Sequence, residues 1–139
     1  MTNLIVKVNR TDNKVHFEGV SDANADISIP FDFAPPLGEG QGFAGLELLL
    51  MSFAGCVSTT IVFLLGRSGK HIASYSAVAE GIRTEHPLLL REIRLHISIE
   101  SNDIKDTDMK NAVKQAEAVS PVWQAVKNNV TTNVAFELL

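Results

Sequence analysis

The stretch LELLLMSFAGCVSTTIVFLLGRSGK, residues 46–70, decides how this chain is read. From Leu48 to Leu65 it runs 18 residues without a charge, and it carries the only cysteine, Cys56. That length meets the lower limit for a helix that crosses a membrane. Against a span stand Ser52, Ser58, Thr59 and Thr60, the charge of Glu47 at its start, and amphipathic segments on both sides that need one another to form a core. A helix apolar on every side is also what the centre of a domain or an oligomer interface requires. The stretch is therefore expected to be a core helix, with no membrane as partner.

The totals agree with a globular chain. A length of 139 residues is that of one domain, 1–139, able to bury about two thirds of its unfolded surface around a single core. Acids and bases are scattered to a net charge of −4, with no basic stripe for phosphate backbones, so nucleic acid is not an expected partner. One cysteine cannot close a disulfide within the chain, and the opening MTNLIVKVNRTD lacks the apolar segment of a secretion signal. The cytoplasm is the expected compartment. The Asn-x-Thr triplets at Asn9 and Asn129 carry no glycosylation argument there.

Upstream of the helix the apolar residues alternate: Leu4, Val6 and Val8, then Val15 and Phe17, then Ile27, Ile29, Phe31 and Phe33. These read as antiparallel strands, with Asp12-Asn13 and SDANAD (21–26) as turns and Pro30 consigning the third strand to an edge or a bulge. APPLGEGQGFAG, residues 34–45, is a loop leading into the helix, which Gly66 is expected to close. Downstream, residues 73–83 alternate weakly, TEHPLL turns, and Ile93, Leu95, Ile97 and Ile99 give the cleanest half-buried strand. A helix from Asp106 or Thr107, a short helix opened by Ser120-Pro121, and a final strand through Val130, Thr132, Val134, Phe136 and Leu138 complete the order βββ-α-ββ-αα-β, an α+β chain.

Few residues offer chemistry. Gly40, Gly42 and Gly45 spell the dinucleotide fingerprint, but Ala34, Pro35, Pro36 and Leu37 intervene after the preceding strand, no acid follows at ribose distance and the neighbouring strands read antiparallel; a flexible lead-in loop explains them better. His16, His71, His86 and His96 have no metal-ligand spacing among themselves or with Cys56, and His86 and His96 read as solvated side chains. Cys56 remains. A buried cysteine is often a small hydrophobe, and reactivity needs a cation or oriented donors plus access; Ser52 and Gly55 thin the helix surface around the sulfur.

GLELLLMSFAGCVSTTIVFLLGRSG, with an acid, an apolar run and a small-small-Cys ending, resembles the cysteine-bearing central helix of the OsmC/Ohr family of thiol-dependent hydroperoxide reductases. EAVSPVWQAVKNNVTTNVAFEL resembles that family's closing helix and strand, and the order of elements extends the resemblance over nearly the whole chain. The OsmC-like branch is the closer match. The resemblance implies an OsmC-like fold, with antiparallel sheets packed on a long central helix, and an intertwined homodimer with its thiols at the interface. Cys56 then takes the position of the thiol that attacks the peroxide. The second thiol of the family precedes the proline of the late helix, where this chain has Ser120, so its oxidised thiol has no internal partner. Arg10, in VNRTDNK, matches the arginine that stabilises the thiolate. The family's glutamate falls ten residues before the cysteine, where Leu46 stands; Glu47 lies nine before, and nine residues of regular helix turn through about 900°, away from Cys56. Glu47 would serve if the helix began later or if it reached another subunit's site. Against these roles, Ser120 reads equally as a helix N-cap, Arg10 as a turn residue and Glu47 as a favourable acid in the first helical turn.

The expected function is a one-cysteine peroxidase for organic or lipid hydroperoxides in oxidative-stress defence, regenerated by an external thiol and needing neither metal nor organic cofactor. The alternative is an OsmC-like dimer without peroxidase activity that binds a small apolar ligand or a partner protein in the interface pocket.

Overall fold

The structure, a computed structural model, describes residues 3–139. Two compact units are distinguishable, one ending at Leu48 and one spanning Leu49–Leu139.

The first unit is an antiparallel sheet of β1 (Val6–Arg10), β2 (Phe17–Ser21) and β3 (Asn24–Phe31), in that order. Asp12 closes the β1–β2 turn because its carboxylate accepts the backbone N–H groups of Lys14 and His16 at 2.8 and 3.0 Å. The second turn is tighter than SDANAD suggests: Ser21 pairs with Asn24, leaving Asp22 and Ala23 at the bend. Pro30 lies on the edge strand, where its missing N–H costs no ladder bond. Val8, Gly19 and Ile29 form one row across the sheet, so by alternation Val6, Arg10, Ile27 and Phe31 share their face. Val6 on that face is 71% exposed.

Helix α1 (Gly45–Arg67) is longer than its apolar run. It buries Phe53, Val57, Ile61 and Leu65, a stripe at four-residue spacing. Its terminator is Gly69 and not Gly66: Gly69 takes φ +78°, its N–H reaches the Gly66 carbonyl, and the Lys70 N–H reaches the Leu65 carbonyl, both at 3.0 Å. A side chain at that φ is strained, whereas Gly66 sits in ordinary helix. The helix has the length and composition to cross a membrane, yet only 22% of its apolar window is buried. Burial within the chain is thus confined to a single stripe. Phe63, on another side, stays 61% exposed.

The second unit holds β4 (Ser74–Glu85), β5 (Leu88–Glu100), α2 (Asp106–Val119), α3 (Pro121–Val126) and β6 (Thr131–Leu138). The sheet order is β4-β5-β6. The β4–β5 pair is antiparallel, but β5 and β6 run parallel, which departs from the expected antiparallel sheets. The reason lies in the connection: a parallel neighbour needs a crossover, and α2 and α3 supply it. Ile93, Leu95, Ile97 and Ile99 of β5 join the α1 stripe, Met109, Ala112 and Ala116 of α2, and Trp123 of α3 in one buried cluster. Trp123 meets Phe53 edge to face at 5.6 Å and satisfies its ring N–H on Thr132 at 3.0 Å. Gly81 on β4 leaves room for Leu50 and Leu90, since a Cβ there would lie 3.0 Å from each.

Candidate functional site

Cys56 lies on the flank of the α1 stripe, about 60° around the helix from Phe53. It is half-buried and not in a disulfide. Its sulfur accepts a hydrogen bond from the Ser120 hydroxyl at 3.2 Å. The two residues are 64 apart in sequence, and the fold of the second unit joins them through the α2–α3 corner.

That corner explains the hydroxyl's direction. Ser120 is shared by two helices: its N–H donates to Ala116 at 2.8 Å, ending α2, and its carbonyl accepts from Gln124 at 2.9 Å, beginning α3. Its backbone is extended, and its side chain makes no capping bond. The N-cap reading of Ser120 is therefore corrected: the residue occupies the cap position, but its hydroxyl, on a residue with no exposed surface, is committed to the sulfur of Cys56.

Phe53 and Trp123, each three residues from a member of the Cys–Ser pair, meet edge to face inside the buried core. Two residues beyond Cys56, Ser58 accepts a hydrogen bond from the Tyr75 hydroxyl at 2.9 Å. Burial pushes the Tyr75 phenol up, so it stays protonated and continues to donate at neutral pH. A partly buried sulfur with a fixed O–H donor can act as a nucleophile where an electrophile reaches it. It cannot form a disulfide with Ser120.

The other expected residues belong to the first unit. Arg10 ends β1 on the apolar face of the sheet, and its Nε–H donates to the Lys14 carbonyl at 2.7 Å across the turn. Glu47 accepts the Ala44 N–H at 2.8 Å, closing the start of α1. The helix begins at Gly45, before Glu47, so the later start that would let this acid serve Cys56 is not found.

One buried polar residue escaped the sequence reading. Asp32, 2% exposed, accepts backbone N–H groups of Phe33, Glu39 and Gln41 at 2.8, 3.3 and 3.0 Å. Those bonds, led by that of Gln41, hold its carboxyl below the usual carboxylate range. The glycine-rich loop is thus not the flexible segment expected: Asp32 ties its amides down. Gly38 is required there because any Cβ would collide with the Asp32 carboxylate, and a Cβ at Gly42 would meet the Pro30 and Phe31 backbone at 2.8 Å. The signal in the sequence was an acid at a strand end followed by small residues.

The OsmC-like protein family profile matches residues 38–135. Among solved structures, an OsmC-like protein from Mycoplasma pneumoniae superimposes with a TM-score of 0.84 at 21% identity, covering 99% of this chain and 98% of that one. A hypothetical protein from Aquifex aeolicus VF5 gives 0.84 at 20% identity, covering 100% and 98%. An organic hydroperoxide resistance protein OsmC from Legionella pneumophila gives 0.75 at 18% identity, covering 99% and 98%. At these identities the likeness is one of fold. No curated protein sequence matches this chain.

Proposed function

Because this chain belongs to the OsmC-like family, we propose that it is a thiol-dependent peroxidase that reduces organic hydroperoxides by one-cysteine chemistry. The Cys56 thiolate attacks the distal peroxide oxygen; the S–O bond forms as the O–O bond breaks, and the alkoxide leaves with a proton as the alcohol. Sulfur is oxidised by two electrons to sulfenic acid and the peroxide is reduced by two. A first external thiol condenses with the sulfenic acid, releasing water and leaving a mixed disulfide; a second opens that disulfide and restores Cys56. Ser120 makes the external thiols necessary, since oxygen cannot play the resolving sulfur. No metal or bound organic cofactor enters these steps.

The observation that carries this reading is the buried Ser120 hydroxyl, directed away from its own helix and onto the sulfur at 3.2 Å. Arg10 is the cation proposed for the thiolate and the leaving oxygen. The working form is a homodimer: a second copy would cover the exposed side of α1, where Phe63 is 61% exposed. The cytoplasm, with its thiol pool, is the matching compartment.

The test is to add one equivalent of cumene hydroperoxide to the reduced protein and trap the product with dimedone. A dimedone adduct on Cys56, absent from Cys56→Ser, and turnover with a small dithiol support the proposal; a thiol left unmodified refutes it. The alternative, a dimer that binds an apolar ligand without turnover, draws on the replacement of the second thiol by Ser120. It predicts an unmodified thiol with saturable binding of an apolar fluorophore.

A further inference from the structure

His16 closes the turn that holds Arg10, and it stands between two carboxylates. Its Nε2 lies 2.8 Å from Glu18 of β2 and its Nδ1 lies 3.5 Å from Asp32, just past β3. Asp32 in turn grips the amides of Glu39 and Gln41 in the glycine-rich loop. On the other side of the turn, Arg10 holds the Lys14 carbonyl, Lys14 pairs with Glu39 at 2.6 Å, and Asp12 accepts the amides of Lys14 and His16. Glu18 is further engaged by Ser28 at 3.1 Å. The turn and the loop are thus joined at two points: an exposed Lys14–Glu39 pair, which contributes little, and the partly buried His16–Asp32 contact.

We propose that His16 is a proton-operated latch fastening the Arg10 turn to the glycine-rich loop of residues 34–42. Protonated imidazole donates from both nitrogens and bridges both carboxylates. Neutral imidazole keeps one N–H. The shorter contact, to Glu18, retains it, and the Nδ1 lone pair then faces the Asp32 carboxylate, whose three backbone donors keep it ionised. Attraction becomes repulsion, and only the exposed pair still joins turn to loop. The hydrogen bond to Glu18, followed by that to Asp32, raises the His16 pKa. The latch is therefore closed below the ordinary histidine value of about 6.5 and opens as pH rises through the raised one. His16 acts here as a positioning residue for Arg10. That consequence rests on the catalytic role proposed for Arg10; the latch does not.

The test is a pH titration of the whole chain by nuclear magnetic resonance. The His16 ring proton and the Glu39 and Gln41 amides are expected to shift with one common midpoint above 6.5, and His16→Gln to abolish the amide shifts. A His16 midpoint at or below 6.5, or amides that stay still while His16 titrates, overturns the latch; the wild-type titration decides this even if the variant does not fold. Cys56 oxidation rates read the second link separately. The ratio of wild type to His16→Gln is expected to fall toward one as pH rises through the latch midpoint. A flat ratio beside an intact titration leaves the latch standing and removes the role of Arg10.

Discussion

Ser120→Ala separates a cap from a donor. As a cap, the hydroxyl would contribute about 1 kcal/mol to stability and nothing to the sulfur. As the donor seen at 3.2 Å, it holds the thiolate, and a hydrogen bond to a charged group contributes about 1.5–3 kcal/mol. Not all of this reaches the rate. A sulfur without its donor is a stronger nucleophile, and a response slope of about 0.4–0.5 returns nearly half. The remainder, roughly 0.8–1.6 kcal/mol, corresponds to a fall of about 4- to 16-fold in the second-order rate of Cys56 oxidation at neutral pH. Stopped-flow mixing with cumene hydroperoxide would measure it, and urea unfolding would supply the stability change. Because the side chain caps nothing and both backbone bonds persist, stability should fall by less than a lost cap costs. An oxidation rate within twofold of wild type, alongside a loss of about 1 kcal/mol, would refute the donor assignment.

Three further substitutions have definite outcomes. Ser120→Cys places a second sulfur beside the first, so one equivalent of peroxide should join the new thiol to Cys56 in a disulfide within one chain, seen as a two-dalton mass loss; a persistent mixed disulfide would contradict the proximity. Ile97→Ala, at a position with no exposed surface in the β5 core, should cost about 2–5 kcal/mol in urea unfolding without changing oxidation by peroxide in the folded state. Asp103, held at a pKa of about 2 by the backbone N–H and ring of His71 and by the Ser101 hydroxyl, contributes stability that is present above pH 4 and lost as pH falls toward 2. Asp103→Asn should flatten that acid limb of the stability curve, while an unchanged limb would show the contact to be idle.

How much of this was legible depends on the period of each signal. β5 announced itself through a spacing of two, α1 showed only as an uncharged apolar run that does not single out its buried stripe, and α2 began at Asp106 as its first acid suggests. The parallel pairing of β6 was hidden because a period of two is the same in either direction. Gly66 and Gly69 could not be ranked until φ was known, since either can end a helix. Resemblance placed Ser120 at the second-thiol position, but residue type alone gave its hydroxyl two possible uses, accepting from a helix amide or donating to a sulfur, and only the corner between α2 and α3 decides. Likewise His16 and Glu18, two apart along one strand edge, share a side, yet their meeting with Asp32 depends on how the glycine-rich loop returns to the end of β3.

The most direct measurement is the second-order rate constant for sulfenic acid formation at Cys56 with cumene hydroperoxide, set beside hydrogen peroxide and beside free cysteine under the same conditions. The account predicts a constant at least roughly a hundredfold above free cysteine for the organic peroxide, about 2.7 kcal/mol of barrier lowering, with hydrogen peroxide the slower substrate. Rates equal to free cysteine for both oxidants would contradict it.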